Sequence, residues 1–277
     1  MNHTIEHQLQ HRTIREFERR GVDKEVLDQL FEVAMRTASS RGLQQASIIH
    51  VTDADKQRRL AEIGQQEYVG RAPVYLLFIV DTARNAALLE DPSAAGHTRP
   101  FVEGFTDACL MAQNVVNAAE SLGMGANYLG NIHNDLQAVV DLLELPRFTF
   151  PVVGLTLGWP AQDPQLKPRI PARLRVMKNT YQAPASWEEA LGEYDQEMTT
   201  YYDLRDANRR SDNFFRQVRA GLPTHAVPQD GSLDVARRQG FEIYFFWGGE
   251  CQRTQFLFEE GVKAQVTKRG LRPLALG

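Results

Sequence analysis

Cysteine is scarce in this chain. Cys109 and Cys251 are the only two in 277 residues, which excludes a disulfide framework and a cysteine-built zinc site. Such low usage fits a reducing compartment. A long apolar run is also missing. The longest, Ala72 to Val80, has nine residues, against the ~20 that a membrane-spanning helix needs, so it reads as a buried strand. The first residues, Met1 to His7, carry no apolar signal core, and the expected location is cytoplasmic, away from any membrane. Neither sign of charge is in excess: 31 Lys and Arg stand against 35 Asp and Glu, a net charge of −4. That argues against nucleic-acid binding through bulk positive charge, so any phosphate must be held by a local basic cluster. The sequence shows no internal repeat and no low-complexity segment.

What is present suits a folded protein. Hydrophobic residues make up 43% and charged residues 24%, enough apolar material for a sizeable core. Residues 24–37 show helical spacing through Val26, Leu27, Leu30, Phe31, Ala34 and Met35. Residues 47–51 read as a strand, Thr52-Asp53 as the start of a helix reaching Ile63, and 74–80 as a strand buried on both faces. Residues 84–101, holding Pro92, Gly96 and Pro100, read as irregular. A long helix over 101–122 is apolar or small around most of its surface and is expected to be central and buried. A short strand at 127–129, a helix at 134–143 and a strand at 150–157 follow. Beyond Trp159-Pro160 prolines punctuate an extended connection to a polar helix at 187–204. With its aromatic stripe but little apolar surface, that helix suits no core of its own: it either lies on its own domain or reaches over a partner subunit.

Several familiar motifs are missing. Gly123, Gly125 and Gly130 follow a helix and precede a strand, the reverse of a dinucleotide-binding loop. There is no Walker A sequence, no Gly-x-Ser-x-Gly elbow and no His-Glu-x-x-His. His3, His7 and His11 recur at ligand spacing but sit near a chain end, where fraying argues against a metal site.

Five clusters remain. His11-Arg12-Thr13-Ile14-Arg15 holds two guanidinium groups, an imidazole and a hydroxyl. On a helical or tight turn Arg12 and Arg15 point to one side and make a phosphate site; the same residues, followed by Glu16, Glu18, Arg19 and Arg20, also suit a solvated charged helix. Lys167-Pro168-Arg169 places two cations one residue apart on a stiff extended segment, where they can stabilise an anion on a ring or simply form a basic linker. Thr37-Ala38-Ser39-Ser40 with Gln44, Gln65-Gln66-Glu67-Tyr68, and Tyr128-Leu129-Gly130-Asn131 are small or polar segments, each of which alone suits an ordinary loop.

Taken in order, these stretches resemble the nitroreductase superfamily of FMN enzymes, in particular its oxygen-insensitive NADPH nitroreductases and NADPH-flavin oxidoreductases. Met111-Ala112-Gln113-Asn114, Ala118 to Gly123, Gly158-Trp159-Pro160, Leu166 to Arg169 and Tyr201-Tyr202 extend the likeness, which runs from about residue 5 to residue 218. The resemblance implies an α+β fold with a mainly antiparallel central sheet flanked by helices, in an intertwined homodimer. It implies an FMN-dependent NAD(P)H oxidoreductase that uses NADPH, with NADH possible, and reduces nitroaromatics, quinones or other small planar oxidants by ping-pong two-electron hydride transfer. Two alternatives are a flavin reductase supplying reduced FMN to a partner monooxygenase and a non-catalytic flavin-binding interaction protein.

By the same resemblance, His11, Arg12, Thr13 and Arg15 hold the FMN phosphate and ribityl chain, with Thr13 where the family more often has Ser. Ser39, Ser40 and Gln44 come from the partner subunit. Gln66 bonds the flavin ring near Tyr68, and Tyr128, Leu129, Gly130 and Asn131 line it. Asn131 stands where the family commonly has Gly. Lys167 and Arg169 lie near the pyrimidine end and tune the flavin, with no side chain acting as acid, base or nucleophile and no metal. Arg205 and Arg209 grip NADPH. Residues 1–220 are expected to form the FMN-binding domain, with 160–220 as an extended arm and aromatic helix, and 221–277 a C-terminal extension of unknown role.

Overall fold

In the computed structural model, residues 2–205, 212–222 and 231–243 are described. The elements run α1 (His3–Leu9), α2 (Lys24–Met35), β1 (Ala46–Val51), α3 (Ala54–Ile63), β2 (Val74–Asp81), α4 (Ala83–Ala86), α5 (Thr98–Ser121), β3 (Gly125–Leu129), α6 (Leu136–Leu142), β4 (Thr149–Gly158), α7 (Trp187–Arg205), α8 (Phe214–Gly221) and α9 (Ser232–Arg238). The four strands form one sheet in the order β1-β2-β4-β3, antiparallel throughout. This is the expected α+β fold with an antiparallel central sheet.

Apolar sequence places β2 and β4 in the middle. β2 is buried over 74–80, with Leu76, Leu77, Phe78 and Val80 fully enclosed. β4 carries Pro151, which has no N–H to give to a ladder. The register shift between Phe78 and Ile79 falls opposite it, a bulge that accommodates the missing donor. α5 crosses this sheet through Ala108, Ala112, Val115, Val116 and Ala119.

Two expectations about α5 need correction. It begins at Thr98, inside the stretch read as irregular, because Pro100 lies in the first turn, where its absent N–H has no helical partner to lose. Part of the same stretch forms α4. Nor is α5 buried all round: Val102 is 54% and Leu110 48% exposed, and Cys109 is exposed beside them.

The aromatic helix also differs from expectation, because it does have a core of its own. Leu191, Tyr194 and Met198 of α7 are buried in a second cluster with Ile170, Leu174, Tyr202, Phe214 and Phe215, separate from the main one. The extended connection supplies Ile170 and Leu174, and α8 supplies the two phenylalanines, so the arm's apolar surface is gathered from three segments. Beyond it, Val235, Ala236 and Phe241 are buried in the main core. Gln239 donates to the Pro146 carbonyl at 2.9 Å and fastens α9 to the turn before β4. Residues 244–277 lie outside the described residues.

Candidate functional site

The basic cluster at 11–15 is extended, so the helical or tight turn that would align Arg12 with Arg15 is not formed. Thr13 pairs with Ala126 of β3, Phe17 with Pro160, and the Ile14 N–H donates to the Ala126 carbonyl at 2.9 Å. Gly125 makes this approach possible, since a Cβ there would stand 2.6 Å from Ile14 Cγ1. The segment thus lies along the sheet edge beyond β3.

Its polar groups are unequally used. His11 Nδ1 is 2.6 Å from Glu120 Oε1 near the C-terminus of α5. Arg12 Nη1 donates to Asp163 Oδ1 at 2.8 Å, but Asp163 is 86% exposed, so the pair is weak. Arg12 Nε is buried with no hydrogen-bond partner. The Arg15 side chain has no hydrogen-bond or ion-pair partner among the described residues.

β3 brings two further predicted segments alongside. Tyr68 donates to Gln66 Oε1 and accepts from Asn127 Nδ2 at 3.2 Å. Asn127 is a buried β3 residue that the sequence reading did not single out. Tyr128 donates to Gln113 Oε1 of α5 at 3.2 Å. Burial raises the Tyr128 hydroxyl above its ordinary range, and the nearby Glu120 and Cys109 add to that, so it stays a neutral donor. Leu129 is buried. At Gly130 the space a Cβ would occupy is open, with nothing within 4 Å, so its backbone is approachable. Asn131 turns away and donates to the Gly64 carbonyl at 3.1 Å.

Ser39, Ser40 and Gln44 sit elsewhere, at the other end of α5. Ser39 and Gln44 line a cavity of about 690 Å³ with Thr37, Ala38, His50 and Asp107. Burial lowers the His50 imidazole below its usual value, favouring the neutral ring on this wall. The Ser40 N–H donates to Asp107 Oδ1 at 2.9 Å. Asp107 and Glu120 are thirteen residues apart, an α-helical rise of about 20 Å. Within one chain, therefore, the set at 39–44 and the set at 11–15 stand at opposite ends of α5.

The remaining basic residues lie on the arm. Lys167 donates to the Tyr202 hydroxyl at 3.2 Å and lies 5.6 Å from its ring centroid. Arg169 folds back onto the Lys167 carbonyl at 2.9 Å. Arg205 is the last residue of α7, and Arg209 lies outside the described residues. His3 and His7 meet edge to face at 4.4 Å, while His11 is taken by Glu120. Glu103 and Asp107, which hold the loop at 39–45, went unnoticed in the sequence, as did the contact of Glu120 with His11. The available signal was an acid at an otherwise apolar position, as Asp107 is between Gly104 and Ala108.

Comparison with known proteins agrees with this fold. The Nitroreductase family model matches residues 9–68 and 61–159, and the model "Nitroreductase family, C-terminal domain" matches 167–244. The "oxygen-insensitive NADPH nitroreductase" of Salmonella typhimurium is 38% identical over 242 residues, 87% of this chain and 99% of the relative. The "NADPH-flavin oxidoreductase" of Vibrio harveyi is 36% identical over 243 residues, 86% of this chain and all of the relative. A solved structure of the Vibrio harveyi NADPH:FMN oxidoreductase, complexed with NAD+, superposes with a TM-score of 0.79 at 34% identity, covering 87% of this chain and 99% of that one. With models matched across both halves and relatives covered almost end to end, this chain belongs to the nitroreductase family.

Proposed function

We propose that the protein is an FMN-dependent NADPH oxidoreductase of small planar oxidants such as nitroaromatics and quinones. The observation that carries this reading is the donor set along β3. Arg12 keeps a buried, unpartnered Nε, Arg15 has no partner among the described residues, and the open backbone of Gly130 belongs to the same edge. A phosphate dianion satisfies unpaired guanidinium donors, and a flat ring needs backbone with no side chain in its way. The residues therefore fit FMN: His11, Arg12, Thr13 and Arg15 for the phosphate and ribityl chain, and Gln66, Tyr68 and residues 128–131 for the ring.

Bound FMN supplies two-electron exchange, first with a nicotinamide and then with an oxidant. The chain's own residues orient and tune it. Lys167 and Arg169 provide positive charge on a stiff segment for the pyrimidine end, and Arg205 and Arg209 provide cations for the 2′-phosphate of NADPH. Ser39, Ser40 and Gln44 reach the flavin from a second copy of the chain. The two sets stand about 20 Å apart along α5, and an antiparallel pair of α5 helices brings one end against the other. The exposed Val102 and Leu110 give that pairing an apolar surface to bury. The homodimer thus carries two sites.

Support for a cytoplasmic location comes from the scarce cysteines. Among the described residues no helix is long and apolar enough to cross a membrane. The expectation from sequence is a domain over residues 1–220 with 221–277 as an extension of unknown role; because Val235, Ala236 and Phe241 are part of the main core, the boundary is proposed here to lie near residue 243.

The test is a visible spectrum of the purified protein before and after NADPH. A flavin spectrum that bleaches anaerobically and returns when nitrofurazone is added is the expected result. A colourless protein that takes up no FMN overturns the reading. Turnover on free FMN exceeding that on nitrofurazone would favour the flavin reductase alternative.

A further inference from the structure

The loop at 39–45 is strained and unusually well held. Arg41, Gly42 and Gln44 all have positive φ, at 53°, 68° and 51°. For Arg and Gln such angles are strained and persist only where the surroundings enforce them. The surroundings here are one face of α5. Glu103 Oε2 accepts from Arg41 Nη2 at 2.5 Å and from Gln45 Nε2 at 3.1 Å, while its Oε1 accepts from Arg41 Nε at 3.0 Å. One turn on, Asp107 holds the Ser40 N–H. Gly104 lies between them, and a Cβ there would stand 2.6 Å from the Gln45 carbonyl oxygen. A helix brought this close by one glycine grips the loop through two carboxylates. α4 completes the hold: Arg84 donates to the Gln44 carbonyl at 2.5 Å and Asn85 to the Leu43 carbonyl at 3.1 Å.

We infer that Glu103 is a positioning residue for FMN, acting through Arg41 and Gln45 to fix the loop from which Ser39, Ser40 and Gln44 reach the flavin of the opposite subunit. This inference rests on the proposed function. It assigns the strain a purpose, because a loop locked before binding spares the ordering entropy that a mobile loop would lose on contact with the ring. Glu103 touches neither the phosphate cluster nor the residues lining β3, so its effect on FMN runs through the loop.

The experiment is FMN titration of the apoprotein, followed by flavin fluorescence and by visible circular dichroism of the bound flavin, for wild type, Glu103→Ala, Arg41→Ala, Glu103→Ala/Arg41→Ala and Arg99→Ala. Arg99 also bonds Glu103, at 2.8 Å, but belongs to α5 and not to the loop. Glu103→Ala and Arg41→Ala are expected to weaken FMN binding about 10-fold each and to alter the flavin dichroism. The double variant should be no weaker than the worse single one, since the two residues form one contact. Arg99→Ala should stay within about 2-fold of wild type, since Arg99 holds no part of the loop. Unchanged FMN affinity in Arg41→Ala overturns the inference, and so does an equal loss in Arg99→Ala. If Glu103→Ala fails to fold, Arg41→Ala, at a half-exposed position, decides alone. A wild-type chain that binds no FMN would sink the proposed function together with this inference. A wild type that binds FMN no better than the variants would sink this inference alone.

Discussion

The two ends of α5 hold their neighbouring segments in opposite ways. At the N-terminal end, Glu103 and Asp107 meet their donors inside the chain, and the loop at 39–45 is rigid although strained. At the C-terminal end, Glu120 orients His11 through one contact, while Arg12 Nε and Arg15 beside it keep donors without partners. One end holds its loop through contacts made within the chain, with Asp107 Oδ2 left buried and unpartnered, and the other has cations in excess of its anions. Unsatisfied buried donors are costly in a finished core, so the unpartnered Arg12 Nε supports the proposal that a ligand supplies the acceptor at this end.

This contrast can be broken at either end. The largest effect is expected from Arg15→Ala. It should weaken FMN binding by about 10- to 100-fold, the scale of one hydrogen bond to a charged group. Apoprotein stability should hardly move, because no partner inside the chain is lost; denaturant unfolding of the apoprotein checks that half, and a destabilised apoprotein would mean that Arg15 was structural after all. Gly104→Ala should do the reverse. It pushes α5 off the Gln45 carbonyl and should lower apoprotein stability by about 1–3 kcal/mol, the usual cost of overpacking, read from the urea midpoint.

The smallest effect is one of pH. The hydrogen bond from Arg41, helped by Arg99 and Gln45 against the opposing effect of burial, draws the Glu103 carboxyl down to about 2. A carboxyl depressed on folding stabilises the fold fully above its ordinary value near 4.5, and that contribution fades as pH falls toward about 2. The stability difference between wild type and Glu103→Gln should therefore be constant from about pH 8 to 5 and shrink only below about 4.5. A difference that changes around neutrality would place the relevant titration on another group.

Sequence reading reached the sheet more easily than the site. β2 and β4 announce themselves because strands buried on both faces are nearly all apolar. The start of α5 was hidden because Pro100 looks like a breaker unless the helix start is known. The α7 cluster was hidden because its apolar partners, Ile170, Leu174, Phe214 and Phe215, are far apart in sequence. Within the site, residues 11–15 and 128–131 could be named from their resemblance to a family, yet their extended geometry against β3 could not. Glu103 and Glu120 looked like ordinary helix charges, and what separates them from solvated acids is the segment folded against each.

The central claim is that each flavin site joins the C-terminal end of one α5 to the N-terminal end of the other chain's α5. Co-expression of an Arg12→Glu chain with a Ser40→Asp chain, each with a different tag, tests it directly. In the purified heterodimer one site carries both lesions and the other carries neither, so the account predicts about one FMN per heterodimer and almost none in either homodimer. Heterodimers as empty of FMN as the two homodimers would contradict it, since they would mean that both sets of residues serve the same site from a single chain.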